Sequence, residues 1–311
     1  MLEIFIKLIP LFVYCLIGYY CKKSGLFTDE GMNQIKKFIT KILLSCMLFM
    51  LFIDMELTIS HIGITVFIFC LNVILYFIGK LANKIPLLNN RIFPFYATSY
   101  CFGFLGIPLF TLLFGIENID NFAIFGVGHE LFVWSVFYFL IHMNYGSSET
   151  LSFKTLILCF KSPVLLSTIF ALTLNLLGIG DFLINNTFFS SILSSFDTLG
   201  NIVTPLILIN IGYSLSFEKN CIKEASKMII ARYIIVFAVG YALKPILDMF
   251  IVSTPISNAA YFIWLSLPPI YSYSVLASDY LSNNEQKTAN TACMLHTIIC
   301  VFVVTIYAII N

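Results

Sequence analysis

Gly103-Phe104-Leu105-Gly106-Ile107-Pro108-Leu109 is the stretch on which the reading of this chain turns. It lies inside a largely apolar run from Ile92 to Phe114. Pro108 has no N–H and clashes with the carbonyl one turn back, so it breaks or kinks a helix. The two glycines make an unwound conformation cheap and let other backbone approach. In hydrocarbon, unwound backbone survives only where protein or a wet cavity satisfies its polar groups. The stretch therefore reads as a broken membrane helix. A second break, Pro268-Pro269, lies far down the chain, and the two are expected to face each other.

The surrounding composition supports a membrane setting. Of 311 residues, 59% are hydrophobic and only 11% are charged, too few charges for the surface of a soluble protein. One span needs about 20 apolar residues, so ten spans with short loops use nearly the whole length. That leaves no room for a soluble catalytic domain. A net charge of +1 gives nucleic acid no basic surface to bind. The 32 Phe and 16 Tyr suit lipid-facing and interfacial positions. The nine Cys are scattered singly, with no CxxC, so they read as small buried hydrophobes rather than metal or redox groups. No cofactor is expected. Glu3 before Lys7, and the absence of a small-residue cleavage site, make the N-terminus an uncleaved first helix rather than a signal peptide.

Ten spans are expected, at about 3–20, 33–53, 61–81, 92–114, 122–143, 156–177, 192–215, 228–250, 258–280 and 286–310. Thr28 or Asp29 is available to cap the second. The loops after odd-numbered spans, with their helix ends, collect all of the 17 Lys and Arg except Lys7 and Lys244. Arg232 is counted there, as a charge near the inner end of span 8. By the positive-inside rule those loops are cytoplasmic, and both termini face outside. The expectation is an all-α, multi-pass protein of the plasma membrane. Residues 1–143 form a first five-helix repeat, 144–155 a cytoplasmic connector, and 156–311 a second repeat. With five spans in each half, the second half enters from the opposite side, as in the inverted repeats of secondary transporters. The broken spans fall fourth in each half, the arrangement that best points to a transport site. Half-helix N-termini at Pro108 and at Pro268-Pro269 would attract an anion.

Three stretches carry a family resemblance. They are Gly103 to Leu109 with Leu113-Phe114-Gly115; Leu199-Gly200-Asn201 with Pro205 to Gly212 and Leu215; and Leu267-Pro268-Pro269 with Ser274-Val275-Leu276-Ala277 and Tyr280. Ile9-Pro10-Leu11 through Gly18-Tyr19 and Lys22 to Leu26 fit as well. Together, and in this order over nearly the whole chain, they resemble the auxin efflux carrier family, which includes bacterial malate and malonate permeases and is similar to the plant auxin exporters. The resemblance implies a bile-acid-symporter-like fold. Spans 1, 2, 6 and 7 would be a scaffold that dimerises, and spans 3–5 and 8–10 a moving unit in which spans 4 and 9 cross. A carboxylate would bind beside the crossing, and transport would be elevator-like. The chain departs from the pattern at Cys101, near Ser99, where the family often has Asn, and at Ser45-Cys46, where it often has Pro.

The candidate substrate site is therefore Cys101, Gly103, Gly106, Pro108, Pro268, Pro269, Ser272 and Ser274, with Asn201 and Asn210 on the scaffold side. Ionisable residues inside the membrane are functional candidates by default. Glu130 lies about 13 Å into span 5 at 1.5 Å per residue, near the centre of a ~30 Å core. A carboxyl buried there favours its neutral form, which suits a proton carrier; a structural carboxyl bonded to a neighbouring helix is the alternative. His129, next to it, is expected to point elsewhere. His296 in span 10 is the second proton candidate, set against a satisfied core histidine. Lys244 and Asp248 are four apart on one helix face and read as a structural pair. The expected activity is secondary transport of a small organic anion, coupled to a proton or a sodium ion. Rivals are a sodium-coupled symporter, which needs clustered carboxylate and amide oxygens at the crossing, and a non-transporting receptor. An enzyme is not expected, since neither HExxH nor GxSxG is present.

Overall fold

The computed structural model describes residues 2–55, 58–145, 163–214, 219–271, 273, 277 and 280–310. Among these the regular structure is all helical. In chain order the α-helices are α1 (Leu2–Lys23), α2 (Asp29–Phe38), α3 (Leu44–Ile53), α4 (Ile59–Ala82), α5 (Phe93–Tyr96), α6 (Ile107–Phe114), α7 (Asp120–Phe132), α8 (Tyr138–Tyr145), α9 (Pro163–Leu176), α10 (Ile179–Asn185), α11 (Thr187–Asn201), α12 (Val203–Ser214), α13 (Ile222–Leu247), α14 (Pro255–Ser266) and α15 (Asn283–Ile310). π-Helical turns join α2 to α3 (Ile39–Leu43), lead into α6 (Phe102–Gly106) and join α7 to α8 (Val133–Phe137). Among the described residues, five stretches are long and apolar enough to cross a membrane: Ile59–Ala82, Asp120–Tyr145, Thr187–Tyr213, Ile222–Leu247 and Asn283–Ile310. α9 and α10 add a sixth if the pair, bent by 96°, is one span. Large apolar side chains such as Leu16, Ile62, Phe77, Ile230 and Phe302 are exposed, as a lipid-facing surface requires.

The chain divides into two compact units, one of residues 2–59 and 160–215, the other of residues 60–159 and 216–311. In the first unit, Thr28 caps α2 by accepting the Gly31 N–H at 3.0 Å, as its position before an acidic first turn predicts. α1 and α12 run backbone to backbone. A Cβ on Gly18 would collide with the Ile209 carbonyl, and one on Gly212 with the Cys15 carbonyl. Small residues at such a seam are how membrane helices approach closely, so Gly212 has a packing role. Asn175 on α9 donates to the carbonyls of Phe52, Ile53 and Met55 at 2.9, 3.0 and 2.7 Å. It thereby satisfies the C-terminal carbonyls that α3 leaves open.

The second unit contains both breaks. α14 starts from a capping box, in which Thr254 and Ser257 each take the other's backbone N–H. It stops at Ser266, because Leu267 precedes a proline and is driven to an extended backbone (ψ 142°). The second break therefore falls at Pro268-Pro269 as the sequence predicts. The first does not fall at Pro108. The chain unwinds from Ala97 to Cys101, and helix resumes at Phe102. Pro108 sits inside the resumed helix, near the start of α6. Its missing N–H is absorbed by the π turn Phe102–Gly106 just upstream, the usual way for a helix to accommodate a lost ladder bond. Lys244 and Asp248 pair at 2.7 Å at the far end of α13.

Candidate functional site

The two breaks touch. The backbone N–H of Cys101 donates to the Pro268 carbonyl at 2.7 Å. A Cβ on Gly106 would press against Leu267 and Phe122, so this glycine serves close approach of the two segments. Gly103 and Pro108 are also buried. Ser272 and Ser274, the hydroxyls expected beside the second break, lie outside the described residues.

Ser99 carries the turn. It adopts φ +63°, a left-handed conformation that costs a non-glycine residue about 1–2 kcal/mol. Asn72, fully buried on α4, holds it there by accepting the Ser99 N–H on Oδ1 at 3.1 Å. The Thr98 hydroxyl donates to the Asn72 carbonyl at 2.7 Å. The next N–H, that of Tyr100, donates to His129 Nε2 at 2.9 Å. A ring nitrogen that accepts carries no proton, so neutral His129 bears its hydrogen on Nδ1. Nδ1 lies 3.3 Å from Glu130 Oε1, and the other carboxylate oxygen accepts from Trp134 Nε1 at 2.8 Å. The expectation that His129 points away from Glu130 is thus corrected. Adjacent helical residues diverge at Cβ, but an imidazole is long enough to reach back to its neighbour's carboxylate.

His296, the other proton candidate, is buried on α15 and faces the Tyr96 hydroxyl at 3.0 Å from Nδ1. Tyr96 ends α5, immediately before the unwound segment. Both candidates therefore reach the same segment, Glu130 through His129 and Tyr100, His296 through Tyr96. Asn201 and Asn210 belong to the first unit. Asn201 is exposed and donates to Asp197 at 3.2 Å, and Asn210 is buried.

The residue that sequence reasoning misplaced is Arg232. Counted among interfacial charges, it is instead 1% exposed on α13. One terminal nitrogen donates to the carbonyls of Tyr96 and, at 3.1 Å, Thr98. The other donates to Ser99 at 2.7 Å and to Leu267 at 3.1 Å. The planar fork thus bridges both breaks. These oxygens belong to the last residue of α5, the unwound residues after it and the residue that ends α14, where freed carbonyls carry partial negative charge. The guanidinium also lies 5.1 Å from the Tyr100 ring centroid. Among the described residues it forms no ion pair with a carboxylate. Around it, Arg232 Nε, Ser99 Oγ, Tyr100 OH and Trp264 Nε1 are buried with no hydrogen-bond partner among those residues, and the Tyr100 and Trp264 rings sit 4.9 Å apart. The sequence did hold a signal, a lone cation inside the apolar run Met228 to Phe237, and the same rule that flags Glu130 applies to it.

The profile of a family described as membrane transport protein matches residues 3–308, almost the full length. The chain belongs to the auxin efflux carrier family. Among curated proteins, none matches the sequence. Membership makes this carrier a multi-pass membrane transporter. Irregular backbone at membrane depth is tolerated where it is buried in protein or lines a cavity.

Proposed function

We propose that this carrier moves a small organic anion, a carboxylate above all, by elevator-like alternating access, with the substrate held at the crossing of the two breaks. The observation that carries the reading is the charge balance there. Arg232 brings a permanent positive charge, and among the described residues its hydrogen bonds go only to neutral carbonyls. Buried donors without a partner among the described residues stand beside it. A bound carboxylate supplies both the missing charge and the missing acceptors. The resumed helix Phe102–Phe114 presents its N-terminal end at the same break.

Two further features support the mechanism. The division of the chain groups residues 60–159 with 216–311 and residues 2–59 with 160–215, the sets that the family resemblance assigns to a moving unit and a scaffold. The links from Glu130 and His296 to the unwound segment give a proton a route by which to influence it. In this reading both termini are extracytoplasmic in the plasma membrane, and the scaffold supports a dimer. Reconstitution into liposomes with labelled carboxylates, with and without a pH gradient, tests it. Uptake of at least one acid is expected. Failure to bind or move any of a panel spanning acetate, malonate, malate and benzoate sinks the substrate class. Flux indifferent to the gradient removes the proton.

A further inference from the structure

We propose that Arg232 is the resident cation of the crossing, a protein-borne charge that occupies the oxygens a transported metal cation would need. In carriers with broken helices, a coupled cation is coordinated by unwound carbonyls and by the C-terminal ends of half-helices. Here those groups are the carbonyls of Tyr96, Thr98, Ser99 and Leu267, and all four accept from Arg232. The guanidinium does not deprotonate and does not leave. Its face lies against Tyr100, and the segment it grips is fixed from the other side by Asn72 and His129. The cage is thus filled by a side chain of the same unit. The Nε–H and the charge, neither of which has a partner among the described residues, are left for an anion. That second consequence rests on the proposed substrate site, whereas the occupancy of the carbonyls does not.

The two parts separate in one set of melting curves on the purified full-length protein in detergent. The wild type is melted in sodium, potassium and choline chloride at equal ionic strength. Equal melting temperatures are expected, and a rise specific to sodium overturns the proposal. Arg232→Ala frees the four carbonyls and is expected to lower the Tm by roughly 5–10 °C. Methylguanidinium chloride restores it, and choline chloride does not. A variant that melts like the wild type, or that methylguanidinium leaves where choline does, overturns it. Should Arg232→Ala fail to fold, Arg232→Lys decides the same point. It keeps the charge and loses the fork, so it melts below the wild type, and equal melting overturns the four-carbonyl account.

The anion arm uses whichever acid of the carboxylate panel stabilises the wild type. Its apparent affinity falls at least about thirtyfold in Arg232→Ala and largely recovers in Arg232→Lys. A merely architectural arginine gives the opposite order, with anion response following stability rather than charge. If no acid stabilises the wild type, the substrate reading fails, and the salt and methylguanidinium arms still decide the role of Arg232.

Discussion

The Cys101 N–H and the Pro268 carbonyl meet at 2.7 Å, a backbone hydrogen bond between two unwound segments from opposite halves of the chain. Neither group has a helical partner, because each belongs to a stretch where the ladder has been interrupted. The bond satisfies one donor and one acceptor that hydrocarbon would otherwise leave bare. It also brings Arg232 within reach of both segments, since Ser99 and Leu267 are close neighbours in sequence of the two bonded residues.

Asn72 is the support on which the left-handed Ser99 depends. Asn72→Ala removes the acceptor of the Ser99 N–H and leaves a buried donor unpaired. The expected loss is about 1–3 kcal/mol of stability, read as a lower Tm.

Ser99 itself gives a sharper test of backbone strain. Its φ of +63° is accessible to glycine without cost, and its Oγ has no partner among the described residues to lose. Ser99→Gly should change stability by less than about 1 kcal/mol. Ser99→Val adds branching at a position with φ > 0 and should cost about 2 kcal/mol or more. Equal melting of the two variants contradicts the strain.

Gly106 leaves no room for a side chain beside Leu267 of the second break. Gly106→Ala places a methyl group against Leu267 and Phe122 and should destabilise by about 1–3 kcal/mol. Wedging the segments apart should also weaken anion binding, measured as a reduced ligand-induced shift in Tm.

Glu130→Gln keeps an oxygen to accept from Trp134 but removes the carboxylate's proton chemistry. Its NH2 group then faces the His129 Nδ1–H in place of Oε1, so stability should fall by about 1–3 kcal/mol, while uptake into liposomes ceases to respond to a pH gradient. Retained gradient dependence would pass the role to His296.

Asp248→Ala provides the contrast. Lys244 and Asp248 form a short ion pair, yet the Asp248 side chain is 36% exposed. Such pairs contribute at most about 1 kcal/mol, so neither melting nor transport should change appreciably.

Local features were legible in the sequence. The Thr28 cap, the extended Leu267 before proline and the Lys244–Asp248 pair follow from residue chemistry within one turn of the chain. Pro108 shows the limit of that reasoning. Proline requires a disturbed turn, and here a π turn meets the requirement, so the unwinding itself was displaced to Ala97–Cys101, where Asn72 and His129 supply partners. His129 shows the same limit, since the reach of a ring is set by its rotamer and not by sequence spacing.

By itself the sequence determined the membrane setting, the family and the presence of two interrupted spans, because hydropathy, glycine and proline act locally and leave their mark on composition and order. Only the tertiary structure decided that the breaks share a hydrogen bond and that Arg232 serves both. A guanidinium at the end of a long side chain bonds whatever carbonyls folding brings near it. Those of Tyr96, Thr98, Ser99 and Leu267 become available only once two remote segments have unwound side by side.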